Sequence, residues 1–177
     1  LSRLGIIKAG LDPDQDVKFV YAPPQEIVSL FQSGKIDFAA LPEPFVTLAM
    51  KDQAGHIVLD FQEYWGEVAG TEPRVPIAGL FVKKDYAAKN PQVVKDVAQM
   101  LADSTEWCNA NPDAAIEVAK NTLPLPAEVM KASLQRTEFK YIPAAQCREE
   151  VNQYLQTIQE IDPESIKQIP DQGFYSE

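Results

Sequence analysis

One histidine, His56, is all that the 177-residue chain offers of the residue type most often used for acid–base chemistry. It precedes an apolar run and has no serine, cysteine or carboxylate at a motif spacing. Neither an acid–base pair nor an activated nucleophile can be assembled around it from the sequence. The two cysteines, Cys108 and Cys147, are too few for a disulfide framework and lack CxxC spacing, which argues against metal and redox chemistry. Each falls in a helical pattern among apolar neighbours. Core packing is the reading that fits, with a single bridge between two helices as the alternative. Walker, GxGxxG and GxSxG segments are lacking, which removes the usual anchors for nucleotide binding and hydrolysis, so no catalytic residue, metal or cofactor is expected. No apolar run reaches the roughly 18 residues that suggest a membrane span. The opening Leu1-Ser2-Arg3-Leu4-Gly5-Ile6-Ile7 lacks the order of charges and small residues found in an export signal. Basic residues are outnumbered 16 to 26, and the net charge of −10 repels nucleic acid and anionic lipid.

What the chain does have is 45% hydrophobic residues, enough for a packed core. Through about Asp85 short apolar strands alternate with short helices, the pattern of an α/β layer with a largely parallel sheet. Leu4, Ile7 and Lys8 belong to a helix ending at Gly10. Val17 to Tyr21 reads as a strand. Pro23-Pro24 opens a helix whose apolar face is Ile27, Leu30 and Phe31 and which Gly34 stops. Ile36 to Leu41 is a second strand, nearly continuous in apolar residues, as suits burial on both faces. A helix from about Pro44 to Met50 follows, then strands at His56 to Leu59 and Pro76 to Lys83. The segment from Trp65 to Arg74 between them gives no clear period.

Beyond Asp85 the pattern is helical. Asn90-Pro91, Asn111-Pro112 and Asp162-Pro163 each pair an N-cap side chain with a first-turn proline, which predicts three helix starts. Val94, Val97, Ala98, Leu101 and Thr105 form one apolar stripe; Val151, Tyr154, Leu155, Ile158 and Ile161 form another. These helices have no strands of their own to cover. The sequence therefore reads as a fragment whose sheet is completed by residues upstream of Leu1.

Ligands of open α/β sheets bind beyond the carboxyl ends of strands. Leu41-Pro42-Glu43-Pro44-Phe45 lies at such an end and opens a helix. Two prolines stiffen it, Phe45 offers an aromatic wall, and Glu43 either accepts from or balances a ligand or caps the helix. Ala22-Pro23-Pro24-Gln25 is its sister turn, where first-turn amides could hold a carboxylate, sulfonate or nitrate, or simply water. Tyr64, Trp65 and Trp107 are candidates for stacking on a ligand, with core packing as the alternative.

At these residues the chain resembles a known family. The succession Ala9-Gly10-Leu11-Asp12-Pro13, Pro23-Pro24-Gln25-Glu26-Ile27, Ser33-Gly34-Lys35-Ile36-Asp37 and Leu41-Pro42-Glu43-Pro44-Phe45 is similar to the nitrate/sulfonate/taurine type of ABC solute-binding protein. It continues through Ala78-Gly79-Leu80-Phe81-Val82-Lys83 and Lys89-Asn90-Pro91-Gln92-Val93-Val94. The resemblance implies an α/β fold of the type II periplasmic-binding class, with a ligand in a cleft between two hinged lobes. On that template residues 1–76 are the second lobe, 77–85 the hinge and return strand, and 86–177 the C-terminal helical part of the first lobe. It implies an extracytoplasmic protein, membrane-anchored in a Gram-positive, that captures a small organic solute or anion without turnover. Its partners would be the small-molecule ligand and a membrane permease. The residues expected at the ligand are Pro24, Gln25, Pro42, Glu43 and Phe45. Relatives that make the thiamine pyrimidine, and ligand-sensing domains of regulators, share the fold and are the alternatives. A fragment of this kind exposes an apolar face, which a homo-oligomer or strand-exchanged assembly could cover.

Overall fold

Glycine, proline and asparagine set the helix boundaries along this chain. The structure, a computed structural model, describes residues 1–51, 55–137 and 139–175. Helix α1 (Ser2–Lys8) gives way at Gly10, whose φ of 81° lies in the left-handed region, and Leu11 N donates back to the Ile6 carbonyl at 3.1 Å. Helix α2 (Pro24–Gln32) starts on a proline that has no amide to satisfy and stops before Gly34, φ 68°. Helix α3 (Phe45–Ala49) follows the cis Glu43–Pro44 peptide. These three agree with the pattern of the sequence.

Helix α4 (Phe61–Ala69) runs into the first half of the segment that gave no clear period. Its signals are nevertheless present. Asp60 accepts at the helix start from Gln62 N at 2.8 Å and Glu63 N at 3.5 Å, and Gly70 (φ 66°) closes the other end. Phe61, Tyr64, Trp65 and Val68 recur at the spacing of one helical face.

Helices α5 (Lys84–Lys89), α6 (Pro91–Ala110) and α7 (Pro112–Ala119) run on from one another through Asn90 and Asn111. The two helix starts are where the sequence puts them, but the capping is reversed. Neither asparagine caps the helix that follows. Asn90 Nδ2 donates back to the Tyr86 carbonyl and Asn111 Nδ2 to the Trp107 carbonyl, each at 3.0 Å, so both tie off the preceding helix. Helices α8 (Ala127–Leu134) and α9 (Ala144–Ile161) complete the set. The third start, at Asp162-Pro163, is corrected. Asp162 is the C-cap of α9, and its side chain accepts from Ser165 Oγ at 2.6 Å. Pro163 cannot extend α9, and the local Asp162–Ser165 bonds close a turn in place of a new helix.

The expected strands are the largest difference. Among the described residues there is no strand, and Val17–Tyr21, Ile36–Leu41, His56–Leu59 and Pro76–Lys83 lie outside the helices. A strand is held by a ladder to a neighbour, and these segments do not form one with each other. Their apolar side chains remain outside a core: Phe38 is 82% exposed, and Ile77 and Phe81 are each 75% exposed.

The chain divides into two compact units. One comprises Leu1–Phe19, Ile57–Gly79 and Ile142–Glu177; the other comprises Val20–His56 and Leu80–Tyr141. In the first, Trp65 is buried with its ring edge-on to Tyr154, centroids 5.0 Å apart. Gln153 Nε2 ties α9 to the end of α4 by donating to the Ala69 carbonyl at 3.1 Å, and Arg74 pairs with Glu150 through two hydrogen bonds. In the second, Ile27, Val28, Ala49, Ile116, Val129 and Met130 are buried where α2 meets α3, α3 meets α8 and α7 meets α8. Helix α6 has no buried residue, and the stripe read from its sequence is only partly covered: Val97 and Leu101 are 43% exposed.

Two expected outcomes follow from the first unit. A Cβ added at Gly66 would lie 2.9 Å from Pro73 Cα, so the buried helix face and the following loop must separate. Helix propensity returns about 0.5–1 kcal/mol, and overpacking costs about 1–3 kcal/mol, so Gly66→Ala should lower stability in denaturant melts. A midpoint equal to or above wild type would contradict this packing. Burial pushes the Tyr154 phenol up. Its stabilising contribution is complete below the unfolded value of about 10 and is lost as pH rises through the higher folded value. Tyr154→Phe should therefore lose less stability than wild type between pH 9 and 12, read from the two urea midpoints.

Candidate ligand-binding site

Chain entry into α3 brings the Leu41-to-Phe45 segment under three restraints. Phe45 N and Val46 N both donate to the Pro42 carbonyl, at 3.0 and 3.2 Å. Pro42 is exposed, while Glu43 and Phe45 are part-buried. The Glu43 side chain folds back over the helix start, where Oε2 accepts from Thr47 N at 3.1 Å and from Thr47 Oγ1 at 2.8 Å. This is a helix cap from one residue outside the usual position, and the carboxylate also sits favourably near the positive end of the helix. The other oxygen, Oε1, accepts from Arg136 Nε at 2.7 Å, and Arg136 Nη2 donates to Thr47 Oγ1. Carboxylate, hydroxyl and guanidinium thus close a ring of contacts. Arg136 follows α8, which packs on α3, and it reaches Glu43 across 93 positions of sequence.

The two partners differ in exposure: the Glu43 side chain is 17% exposed and that of Arg136 is 43% exposed. The carboxylate has both oxygens engaged inside the fold. The guanidinium keeps its Nη1 edge without a hydrogen-bond partner among the described residues. The group that turns outward here is therefore the cation. Nothing in the sequence pointed to it, because an arginine just past a helix end reads as surface charge, and its partner is distant along the chain.

The sister turn is arranged differently. Pro24 and Gln25 are exposed at the first turn of α2. The Glu26 and Ile27 amides donate to the Pro23 carbonyl at 2.9 and 3.1 Å, so these two first-turn amides are engaged within the helix start. Glu26 adds a carboxylate to the same end, which disfavours an anion. The hydrogen bond that joins α2 to α3 lies away from both turns: Gln32 Nε2 donates to the Leu48 carbonyl at 3.0 Å. Among the described residues no hydrogen bond links Pro24 or Gln25 to Pro42, Glu43 or Phe45.

Of the stacking candidates, Trp65 is 3% exposed and Tyr64 is half-buried, its hydroxyl shut away from solvent near Gly5; both belong to the packing of the first unit. Trp107 is 45% exposed on α6. His56 is exposed, and Cys108 and Cys147 are free thiols, half-buried on α6 and α9. Among the described residues no group of three or more metal-ligating side chains converges. One open depression is lined by Lys83, Lys84, Asp85, Tyr86 and Lys89 and another by Ala145, Arg148, Gln172 and Tyr175, and neither includes an expected ligand residue.

Residues 3–123 match the NMT1-like family over more than half of the chain, so the chain belongs to that family. Its similarity to solute-binding proteins of the nitrate and taurine type is thereby borne out. It is 32% identical over 114 residues to the taurine-binding periplasmic protein of Escherichia coli, covering 63% of this chain and 32% of that protein. It is 25% identical over 118 residues to the nitrate/nitrite binding protein NrtA of Synechococcus elongatus, covering 66% of this chain and 25% of that one. With the putative binding protein YtlA of Bacillus subtilis the identity is 27% over 171 residues, covering 92% of this chain and 48% of the relative. The chain thus spans less than half the length of each of these relatives. No solved structure matches.

The ring of contacts predicts unequal costs for its two partners. Glu43→Ala removes both a cap and an ion pair and should cost about 1–2 kcal/mol. Arg136→Ala removes a partly exposed ion pair and should cost less than about 1 kcal/mol. Denaturant midpoints of the two variants give the order; a larger loss for Arg136→Ala would contradict the capping role of Glu43.

Proposed function

We propose that this chain is the ligand-capturing region of an extracytoplasmic solute-binding component of an ABC importer. It takes a small organic solute or anion without turnover and hands it to a membrane permease. The observation that carries the reading is the family match over residues 3–123, joined by relatives named for binding nitrate, nitrite and taurine. A location in the periplasm or outside the cell is supported by the name of the Escherichia coli relative. Among the described residues no helix is long and apolar enough to cross a membrane.

On this reading the fold is the α/β type II periplasmic-binding class, with residues 1–76 as the second lobe, 77–85 as the return strand and 86–177 as the helical part of the first. Pro24, Gln25, Pro42, Glu43 and Phe45 face the ligand. Support for the Pro42–Phe45 turn is local: a stiff proline-bounded backbone, a part-buried aromatic and a charged pair presented beside them. Such a site needs no reacting group, only directed hydrogen bonds and an apolar wall.

The test is a thermal-shift series with nitrate, taurine, alkane sulfonates, amines and pyrimidines. A ligand at 100 times its dissociation constant stabilises the native state by about 2.7 kcal/mol, which raises the melting temperature by several degrees for a chain of this size. Absence of a shift with every compound would leave the capture role without support.

A further inference from the structure

Resting on the proposed solute-binding role, we infer that Arg136 is a ligand-contacting residue and that the site it forms with Glu43 and Thr47 selects the oxyanion group of its ligand. A carboxylate standing alone at the Pro42–Phe45 turn would repel an anion and favour an ammonium group. Glu43 does not stand alone. Its Oε1 is held by Arg136 Nε at 2.7 Å and its Oε2 by the amide and hydroxyl of Thr47 at 3.1 and 2.8 Å, and its side chain is 17% exposed. Three of its roughly four acceptor positions are thereby filled, which leaves little of that carboxylate open to an amine. The more exposed partner, at 43%, is the guanidinium.

Arg136 meets the requirements of an oxyanion receptor. A guanidinium carries five N–H donors, so two bonds within the fold still leave donors for the oxygens of a sulfonate, nitrate or carboxylate. Nε and Nη2 are spent on Glu43 and Thr47, which fix the plane of the group and remove much of the entropy a free arginine would lose on binding. The Nη1 edge is left for a ligand. Glu43 and Thr47 therefore act as positioning residues for Arg136. In a chain of net charge −10, a cation held in place beside an aromatic and two prolines gives an anion a local exception to long-range repulsion.

Taurine and propane-1-sulfonate share a sulfonate and a chain length and differ in an ammonium group against a methyl group. Calorimetric titration of the full chain with these two and with nitrate separates the alternatives. Wild type should bind propane-1-sulfonate within about threefold of taurine. Arg136→Ala should weaken propane-1-sulfonate by about 10- to 100-fold and move the ratio toward taurine, because the bared Glu43 then repels the sulfonate and attracts the amine. Arg136→Lys, which keeps the charge but not the fork, should fall between. Taurine bound ten or more times tighter than propane-1-sulfonate by wild type would overturn the inference by showing that a carboxylate reads the amine. Weakening of both sulfonates by Arg136→Ala would uphold the contact to their shared group; weakening of neither would overturn it while leaving the binding role intact. If wild type binds none of the three probes but is stabilised by an amine or a pyrimidine of the thermal-shift series, the inference fails and the binding role stands; if it binds none of those either, both fail.

Discussion

The Glu43 carboxylate is the joint on which the second unit turns. Helix α3 is a five-residue helix, too short to be stable by itself, and it begins on prolines that contribute no amide donors. What holds it is the cap that Glu43 places on Thr47 and the packing of Ala49 against neighbouring helices. The same carboxylate draws in Arg136 and with it the end of α8. Secondary structure and tertiary contact thus use one side chain, and each oxygen has its own task. This sharing places a charged pair beside the proline-bounded turn without leaving a part-buried carboxylate uncompensated.

Much of the helical layout could be read from local chemistry. Gly10 and Gly34 stop helices because the backbone there turns left-handed, and Pro24, Pro91 and Pro112 start them because a first-turn residue needs no donor. Where the reading failed, competing local bonds explain it. Asp162-Pro163 shares the cap-then-proline pattern of the two asparagine–proline starts, yet Ser165 offers Asp162 a partner within the turn and no helix follows. The α4 segment, which gave no clear period, carries a cap, a helical apolar face and a terminal glycine.

Long-range features were less legible, for a physical reason. Apolar runs such as Ile36–Leu41 report a preference for burial between layers, but a sheet exists only when neighbours supply the ladder, and that condition is not written in the run itself. The Pro42–Phe45 turn could be singled out from spacing. Its alternatives, ligand contact or helix cap, could be resolved only in part, since the cap is visible and the ligand contact is a proposal. Arg136 could not be found at all, because the cation that neutralises Glu43 lies in a distant helix end with no periodic signature.

Asn90 and Asn111 leave α5, α6 and α7 with no spacer residues beyond themselves. Each asparagine is at once the last cap of one helix and the first residue outside the next, so only its own pair of backbone angles separates two rigid rods. Each Nδ2 bond closes the end of the preceding helix, while the ψ of the asparagine alone sets the direction of the next one, and an inserted residue at either asparagine would add a second pair of backbone angles between the rods.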